Sequence, residues 1–475
     1  MVIIIKKFLI IMEGYYEMIE NNNEKFNLAL DSEEFYKKYG QKKAVSIFTL
    51  GCKVNQYETE AMIELFEKAG YETVDFDQYA HVYVINTCTV TNLGDRKSRQ
   101  MIRRAKKLNE QSIVAVVGCY AQTAAEEISK ISGVNLIIGT KDRAKIVDFI
   151  NELEEKKEQI NAVEDIMSNK EFENMHVTAY KGRTRAFLKI QEGCNQFCSY
   201  CIIPYARGPV RSRKPEDVVE EVQQLAQNGF KEIVFAGIHV ASYGKDLKNT
   251  NLIDIIQRVH AVKGIERLRL SSIEPMTLSD EFVAAAVDLP KLCPHYHISL
   301  QSGCDETLKR MNRKYKTADY KAVVERLRKH FPDVAVTTDV MVGFPGETEE
   351  EFEKSRQFVD AIGFSKVHVF KYSPRKGTPA VDYPNQISSE EKEKRSKIMI
   401  ELSERNEQKF HKRFLNTEMD VLFEQSVKDI DGSYEGLTAN YIRVIAPASE
   451  KLEGRILKCR LNSLSREYIN GEVVK

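Results

Sequence analysis

Two successive series of short, apolar, β-branched segments, each alternating with amphipathic helical stretches, set the strongest limit on how this chain can fold. Residues 45–50, 82–85, 113–117 and 136–138 are apolar and bounded by Gly, Asn or Thr, with helical segments such as 56–69 between them. Runs this short and this apolar fit parallel strands buried on both faces and covered by helices. A second series follows at 187–190, 233–236, 267–271, 296–300, 336–341 and 367–371, separated by helical patterns at 215–227, 280–287, 319–330 and 347–362. Six strand–helix units predict a parallel barrel or open part-barrel, with its chemistry at the carboxyl ends of the strands. After a long helical pattern at 388–414, short alternating strands at 419–423, 441–444, 455–460 and 471–475 predict a small β-barrel. The expected class is α/β and multidomain: an N-terminal open parallel sheet, a central (β/α)6 partial TIM barrel and a C-terminal β-barrel.

A length of 475 residues is consistent with several domains. The expected boundaries are a leader at 1–43, an α/β domain at 44–150, a charged linker at 151–180, the part-barrel at 181–414 and the small barrel at 415–475. The leader opens with two apolar runs split by Lys6 and Lys7, and neither approaches the roughly 20 residues that span a bilayer. No small-residue cleavage site follows, so the leader is read as dispensable, with translation beginning at Met12 or Met18. A cytoplasmic protein with no membrane partner is expected. The 70 basic and 70 acidic residues cancel, so any nucleic acid must be held by local basic patches.

Nine cysteines in a chain this long do not look like a disulfide framework. Cys194, Cys198 and Cys201 form a C-x3-C-x2-C loop just past the first strand of the part-barrel, where such folds place catalytic loops. Three thiolates on one tight loop can hold three irons of a [4Fe–4S] cluster and leave the fourth for a small molecule. A zinc site is the alternative, but it needs a fourth ligand, and neither a nearby histidine nor a second C-x-x-C exists. Cys52, Cys88 and Cys119 each follow an apolar strand, at intervals of about one strand–helix unit. Parallel strands should bring the three thiols to one sheet edge, where open α/β sheets bind ligands. Three buried structural cysteines would be the plainer explanation. Cys293, Cys304 and Cys459 match neither set and read as small apolar residues.

The triplet resembles that of the radical S-adenosylmethionine superfamily. The resemblance implies that S-adenosylmethionine binds at the unique iron and is cleaved there to a radical. Tyr200 matches the aromatic position near the adenine, while Gly237, Ser271, Glu274, Gln301 and Asp339 occupy strand ends suited to the cofactor pocket; each is also compatible with an ordinary loop role. The segments Thr49-Leu-Gly-Cys52-Lys-Val-Asn-Gln-Tyr-Glu-Thr-Glu60, Asn86-Thr-Cys88 and Gly118-Cys119-Tyr-Ala-Gln122 closely resemble the methylthiotransferase branch. That branch joins such an N-terminal domain to a radical barrel and an OB-like TRAM barrel. It implies that Cys52, Cys88 and Cys119 hold an auxiliary [4Fe–4S] cluster, making the two cofactor types S-adenosylmethionine and a pair of [4Fe–4S] clusters. The residues from Gly237 to Asp246 and from Asn440 to Val444 look most like the type acting on threonylcarbamoyladenosine in tRNA.

The implied partners are a tRNA anticodon stem-loop, an electron donor and a sulfur source. Alternatives are the same chemistry on isopentenyladenosine or on a ribosomal-protein aspartate and, more distantly, a non-enzymatic iron–sulfur protein that binds RNA or carries electrons. Two basic stretches could neutralise RNA phosphates, or could be solvated faces: Arg96, Lys97, Arg99, Arg103, Arg104, Lys106 and Lys107 in one, and Arg207, Arg211, Arg213 and Lys214 in the other. Residues 415–475 carry eight basic and ten acidic side chains, so RNA contact there would need a local patch, with Tyr434, Tyr441, Arg443, Arg455, Lys458 and Arg460 as candidates.

Overall fold

The computed structural model describes residues 26–180 and 182–474, which form two compact units. The apolar leader segment and its possible start codons, within residues 1–25, lie outside the described residues.

The first unit is built on a six-stranded sheet of order β2-β1-β3-β4-β5-β6. Its strands are β1 Lys43–Thr49, β2 Tyr71–Thr73, β3 Val82–Thr87, β4 Ile113–Gly118, β5 Leu136–Ile138 and β6 Ile160–Asn161. β1 runs parallel to β2 and β3, and β5 runs parallel to β4 and β6. Alternate residues of β3 enter different cores. Val82 and Val84 pack with Phe35, Met62 and Phe66, whereas Tyr83 and Ile85 pack with Met101, Ile102 and Ile128. A strand buried on both faces needs apolar residues throughout, which is why period-2 alternation is missing from the sequence.

Two expected boundaries change. Residues 26–43 fall within the expected leader, yet the helix Ser32–Tyr39 buries Phe35 completely, and the Ser32 hydroxyl donates to the Ala69 carbonyl at 3.1 Å. The stretch 151–180 is not a free tether. Helix Ile146–Lys156 runs into it, with Ile146, Ile150 and Leu153 buried beneath its charged face, and β6 extends the sheet. Further on, Met175, Val177 and Tyr180 enter the core of the second unit. High charge on one face of a helix masked an ordinary amphipathic element.

The second unit contains the part-barrel. Its strands are β7 Arg185–Glu192, β8 Arg211–Ser212, β9 Glu232–Gly237, β10 Arg267–Leu270, β11 His295–His297, β12 Ala335–Val342 and β13 Lys366–Lys371. They form two sheets, β10-β9-β7-β8 and β11-β12-β13. Parallel bridges Leu268↔Leu292 and Ile273↔Ile298 join them. The six parallel strands β7, β9, β10, β11, β12 and β13 therefore form one open wall, with the short β8 paired antiparallel to β7. Helix Ser389–Lys412 follows, its first turn capped by the Ser388 hydroxyl, which accepts from the Glu391 N–H at 3.2 Å.

The chain closes with a five-stranded barrel of β14 Glu418–Ser426, β15 Ser433–Thr438, β16 Arg443–Pro447, β17 Ile456–Leu464 and β18 Ile469–Val473. Arg267 fastens it to the amino end of the part-barrel, donating to the carbonyls of Leu437 at 2.9 Å and Asp420 at 2.7 Å.

Candidate active site

The triplet loop starts where β7 is disturbed. The β7–β9 register shifts between Lys189 and Gln191, a bulge of the kind that redirects a chain at a strand end. Gln191 then accepts from the His239 N–H at 2.7 Å and donates to the Gly193 carbonyl at 2.7 Å, joining the ends of two neighbouring strands. Gly193 has φ +73°, and a Cβ there would stand 1.8 Å from the Pro209 carbonyl oxygen, so only glycine fits. The Cys194 N–H donates to the Gly208 carbonyl at 3.0 Å. Farther along, the Ser199 hydroxyl donates to the Arg310 carbonyl at 2.8 Å.

Cys194, Cys198 and Cys201 come together on this loop, near enough to repel one another as thiolates. Burial, with that repulsion, pushes the Cys194 thiol up to about 11 and the Cys201 thiol up to about 12. Sites that hold such thiolates must compensate their charge, as bound iron does. Part of the compensation comes from Arg313, which donates to the Cys198 sulfur at 3.3 Å and holds both Glu274 carboxylate oxygens at 2.8 Å. Burial opposes ionisation of Glu274, yet neighbouring His239 and Arg313 hold its carboxyl below the ordinary range. Among the described residues no three His, Cys, Asp or Glu side chains converge on a single-ion cage. A cubane does not require one, since each thiolate bonds its own iron.

Cys52 and Cys88 are neighbours in the same unit. A Cβ on Gly51 would lie 3.3 Å from the Cys88 sulfur. Asn55 clamps both turns, donating to the Leu50 carbonyl at 2.7 Å and the Thr87 carbonyl at 2.9 Å. A fully buried ion cluster connects this region to the triplet. Glu58, on the helix Lys53–Lys68 that follows Cys52, meets Arg207 at 2.5 Å and Lys189 at 3.0 Å; Glu192 meets the same two cations at 2.6 and 2.8 Å. Lys189 and Glu192 precede Cys194 on β7, and Arg207 follows Cys201, so two positive and two negative charges brace both sides of the loop. Cys119 belongs to the other unit, where it is buried immediately after β4.

A cavity of about 770 Å³ runs from the carboxyl ends of β9 and β10 across β11 to Thr337 and Asp339 inside β12 and to β13, starting at Lys366. Its wall includes Cys52 and Lys53 together with Gly237, Ser271 and Asp339. A Cβ on Gly237 would approach the Gln191 side-chain oxygen to 3.0 Å. The buried Ser271 hydroxyl has no hydrogen-bond partner among the described residues, leaving a polar atom for a ligand. Asp339 pairs with His297 at 3.2 Å. Gln301 has left-handed backbone, φ 68°, and its N–H donates to the Asp339 carbonyl at 2.8 Å. Tyr200 is edge-on to Phe344, their ring centres 6.3 Å apart, outside the cavity wall.

The family described as "Radical SAM superfamily" matches residues 188–359, and "Uncharacterized protein family UPF0004" matches residues 44–139. Threonylcarbamoyladenosine tRNA methylthiotransferase MtaB of Bacillus subtilis is 44% identical over 434 residues, 91% of this chain and 96% of that one. The chain belongs to the radical S-adenosylmethionine methylthiotransferase family. The MtaB protein of Thermotoga maritima is 37% identical over 90% of this chain and 96% of its own. A tRNA-2-methylthio-N(6)-dimethylallyladenosine synthase of Caldicellulosiruptor saccharolyticus is 36% identical, covering 93% and 95%. Among solved structures, the radical S-adenosylmethionine methyltransferase TsrM of Kitasatospora setae shares the fold, with TM-score 0.52 and 16% identity over 72% of this chain and 77% of that one.

Within this methylthiotransferase the two basic stretches have different fates. Arg207, Arg211 and Arg213 are buried, the first two against Glu192 and the third against Glu221 at 2.7 Å; Lys214 alone of that group is exposed. They are structural charges, not an RNA face. On helix Asn92–Leu108, by contrast, Arg96, Arg103 and Lys107 are exposed, while Arg99 and Arg104 pair with Glu127 and Asp77. On the C-terminal barrel Arg443, Arg455 and Arg460 pair with Glu435, Glu450 and Glu418. Tyr441 joins the cavity instead, stacking on His295 with centres 4.4 Å apart. Arg313 and Gln191 escaped the sequence reading because nothing in their local spacing marks them. Arg313 reaches Cys198 across 115 residues of chain.

Proposed function

We propose that the protein adds a methylthio group to C2 of N6-threonylcarbamoyladenosine at position 37, beside the anticodon, of tRNA. The observation that carries this reading is one cavity whose wall holds Cys52 together with Gly237 and Ser271 at part-barrel strand ends and Asp339 inside β12, a mid-strand place where a strand end was expected. A target base seated there borders both chemistries. When bound, S-adenosylmethionine and two [4Fe–4S] clusters supply the hydrogen-abstracting radical, the methyl group and the sulfur. In this reading Cys194, Cys198 and Cys201 hold the radical cluster, while Cys52, Cys88 and Cys119 hold the auxiliary one. Gly237, Ser271 and Asp339 form the cofactor pocket on the cavity wall, and Tyr200, Glu274 and Gln301 complete it from outside that wall. Arg313 orients Glu274 and screens the thiolates, and the Glu58 cluster keeps the triplet loop in place.

The threonylcarbamoyl substrate is favoured over isopentenyladenosine by 44% identity to the first kind of relative against 36% to the second. The reading also requires an electron donor, a sulfur source and the anticodon stem-loop as partners, and places the enzyme in the cytoplasm with them. No described helix is long and apolar enough to cross a membrane. Mass spectrometry of tRNA nucleosides from cells with and without the gene tests the proposal. Deletion should remove 2-methylthio-N6-threonylcarbamoyladenosine and raise its precursor; an unchanged profile would overturn the tRNA assignment.

A further inference from the structure

The charged groups on the cavity wall are matched except for one. Lys366 meets Glu407 at 3.0 Å, and Asp339 meets His297 at 3.2 Å. Lys53 lines the same cavity and has no acidic partner among the described residues. Tyr441 enters from the C-terminal barrel on a left-handed turn, φ 70°, a costly backbone for a bulky residue. The Arg269 guanidinium lies 4.8 Å from its ring centre and Arg185 lies 5.8 Å away. Those arginines, with Arg267, surround Glu232, and Arg185 also meets Glu424. These guanidinium groups stand behind Tyr441, off the cavity wall, and are held by Glu232 and Glu424, so neither carboxylate is left to pair with Lys53. An unpaired ammonium in a partly enclosed space calls for an anionic group on the ligand.

The proposed substrate carries one: the threonyl carboxylate at the far end of the N6 substituent. We propose that Lys53 is a specificity-determining residue that pairs with this carboxylate and so selects threonylcarbamoyladenosine over adenosines with neutral N6 groups. This inference rests on the methylthiotransferase reading above. It places selection on the first residue of the helix that follows Cys52, so that the substituent and the target carbon are fixed by one segment.

The test compares binding of two anticodon stem-loops to the cluster-loaded full-length enzyme, one with the free carboxylate and one with its methyl ester. Wild type should bind the acid at least about tenfold more tightly than the ester, as expected for a charge-assisted hydrogen bond. Lys53→Met should bind the two alike, and Lys53→Arg should restore most of the preference. Equal binding of acid and ester by wild type would overturn the proposal without requiring any variant to fold. Equal weakening of both stem-loops by Lys53→Met would also overturn it, because Lys53 would then be serving a backbone phosphate. Loss of S-adenosylmethionine cleavage in the absence of RNA would reassign Lys53 to the cofactor's carboxylate and reject it too. Failure of the broader reading looks different: wild type would methylthiolate neither stem-loop.

Discussion

Arg313 links groups far apart in sequence, binding Glu274 through two 2.8 Å hydrogen bonds and reaching the Cys198 sulfur at 3.3 Å. One terminal nitrogen meets both Glu274 oxygens, the other meets the Cys198 sulfur and Nε donates to the Tyr315 hydroxyl at 3.1 Å, a fixed planar spread of donors that an ammonium cannot reproduce. Arg313→Met should therefore lower reductive cleavage of S-adenosylmethionine at least about tenfold, measured as 5′-deoxyadenosine release, and Arg313→Lys should recover little of it. Full recovery by lysine would show that charge, not geometry, is what Arg313 supplies. His81 gives a prediction about stability. Its Nδ1 accepts from the Ala44 N–H at 2.9 Å, and its buried Nε2 has no partner among the described residues. Burial, with nearby Lys43, pushes the ring down to about 4 from an ordinary 6.5. Between those values the unfolded chain takes up a proton that the folded chain refuses, so stability falls as pH drops from about 6.5 to about 4. The full loss is about 3 kcal/mol. Urea unfolding across this window should show the decline, and His81→Gln, which keeps an acceptor that does not titrate, should flatten it.

Short elements decide how the triplet is presented, and they are also where sequence patterns are weakest. Gly193→Ala places a Cβ 1.8 Å from a carbonyl oxygen at a left-handed position, whereas Gly40, also left-handed, has nothing within 4 Å of its Cβ site. Gly193→Ala should thus sharply reduce iron bound per chain, while Gly40→Ala should cost only about 1 kcal/mol and leave iron content unchanged. Equal iron content in the two variants would remove the steric argument for Gly193. Such a distinction is invisible in sequence, where both are simply glycines after a polar stretch. The buried parallel strands were legible because apolar β-branched runs have few other uses; the structure extends each of the six part-barrel expectations by only a few residues or trims it. The two-residue β6 and β8 were not, being too short to show any period. Nor was β15, Ser433–Thr438, whose interior glycine weakens a strand pattern. Its Gly436 is required by packing, since a Cβ there would stand 2.3 Å from the Leu422 carbonyl oxygen.

Across the whole molecule, the distribution of charge separates what holds the chain together from what can hold RNA. Sequence alone shows two basic stretches beside two cysteine sets, and nothing in their composition distinguishes them. Burial does. Arg207 is enclosed with Glu58, Glu192 and Lys189, all fully buried, so its removal leaves uncompensated carboxylates inside the protein. Breaking such a cluster from one side costs about 3–5 kcal/mol, whereas removing an exposed cation costs almost nothing in stability. Arg96, Arg103 and Lys107 fall seven and four residues apart along one exposed helix face, the spacing that lets a row of cations follow a phosphate backbone. Each cation that meets a phosphate contributes about 0.7–0.9 to the slope of log affinity against log salt concentration. The double substitution Arg103→Ala and Lys107→Ala should therefore reduce that slope for the anticodon stem-loop by more than one unit while leaving the unfolding midpoint in place. Arg207→Ala should do the reverse, moving the midpoint and leaving the salt slope of the surviving folded protein unchanged. If the double variant kept the wild-type slope, the exposed helix face would be a solvated surface, and the phosphates would have to be met elsewhere on the chain.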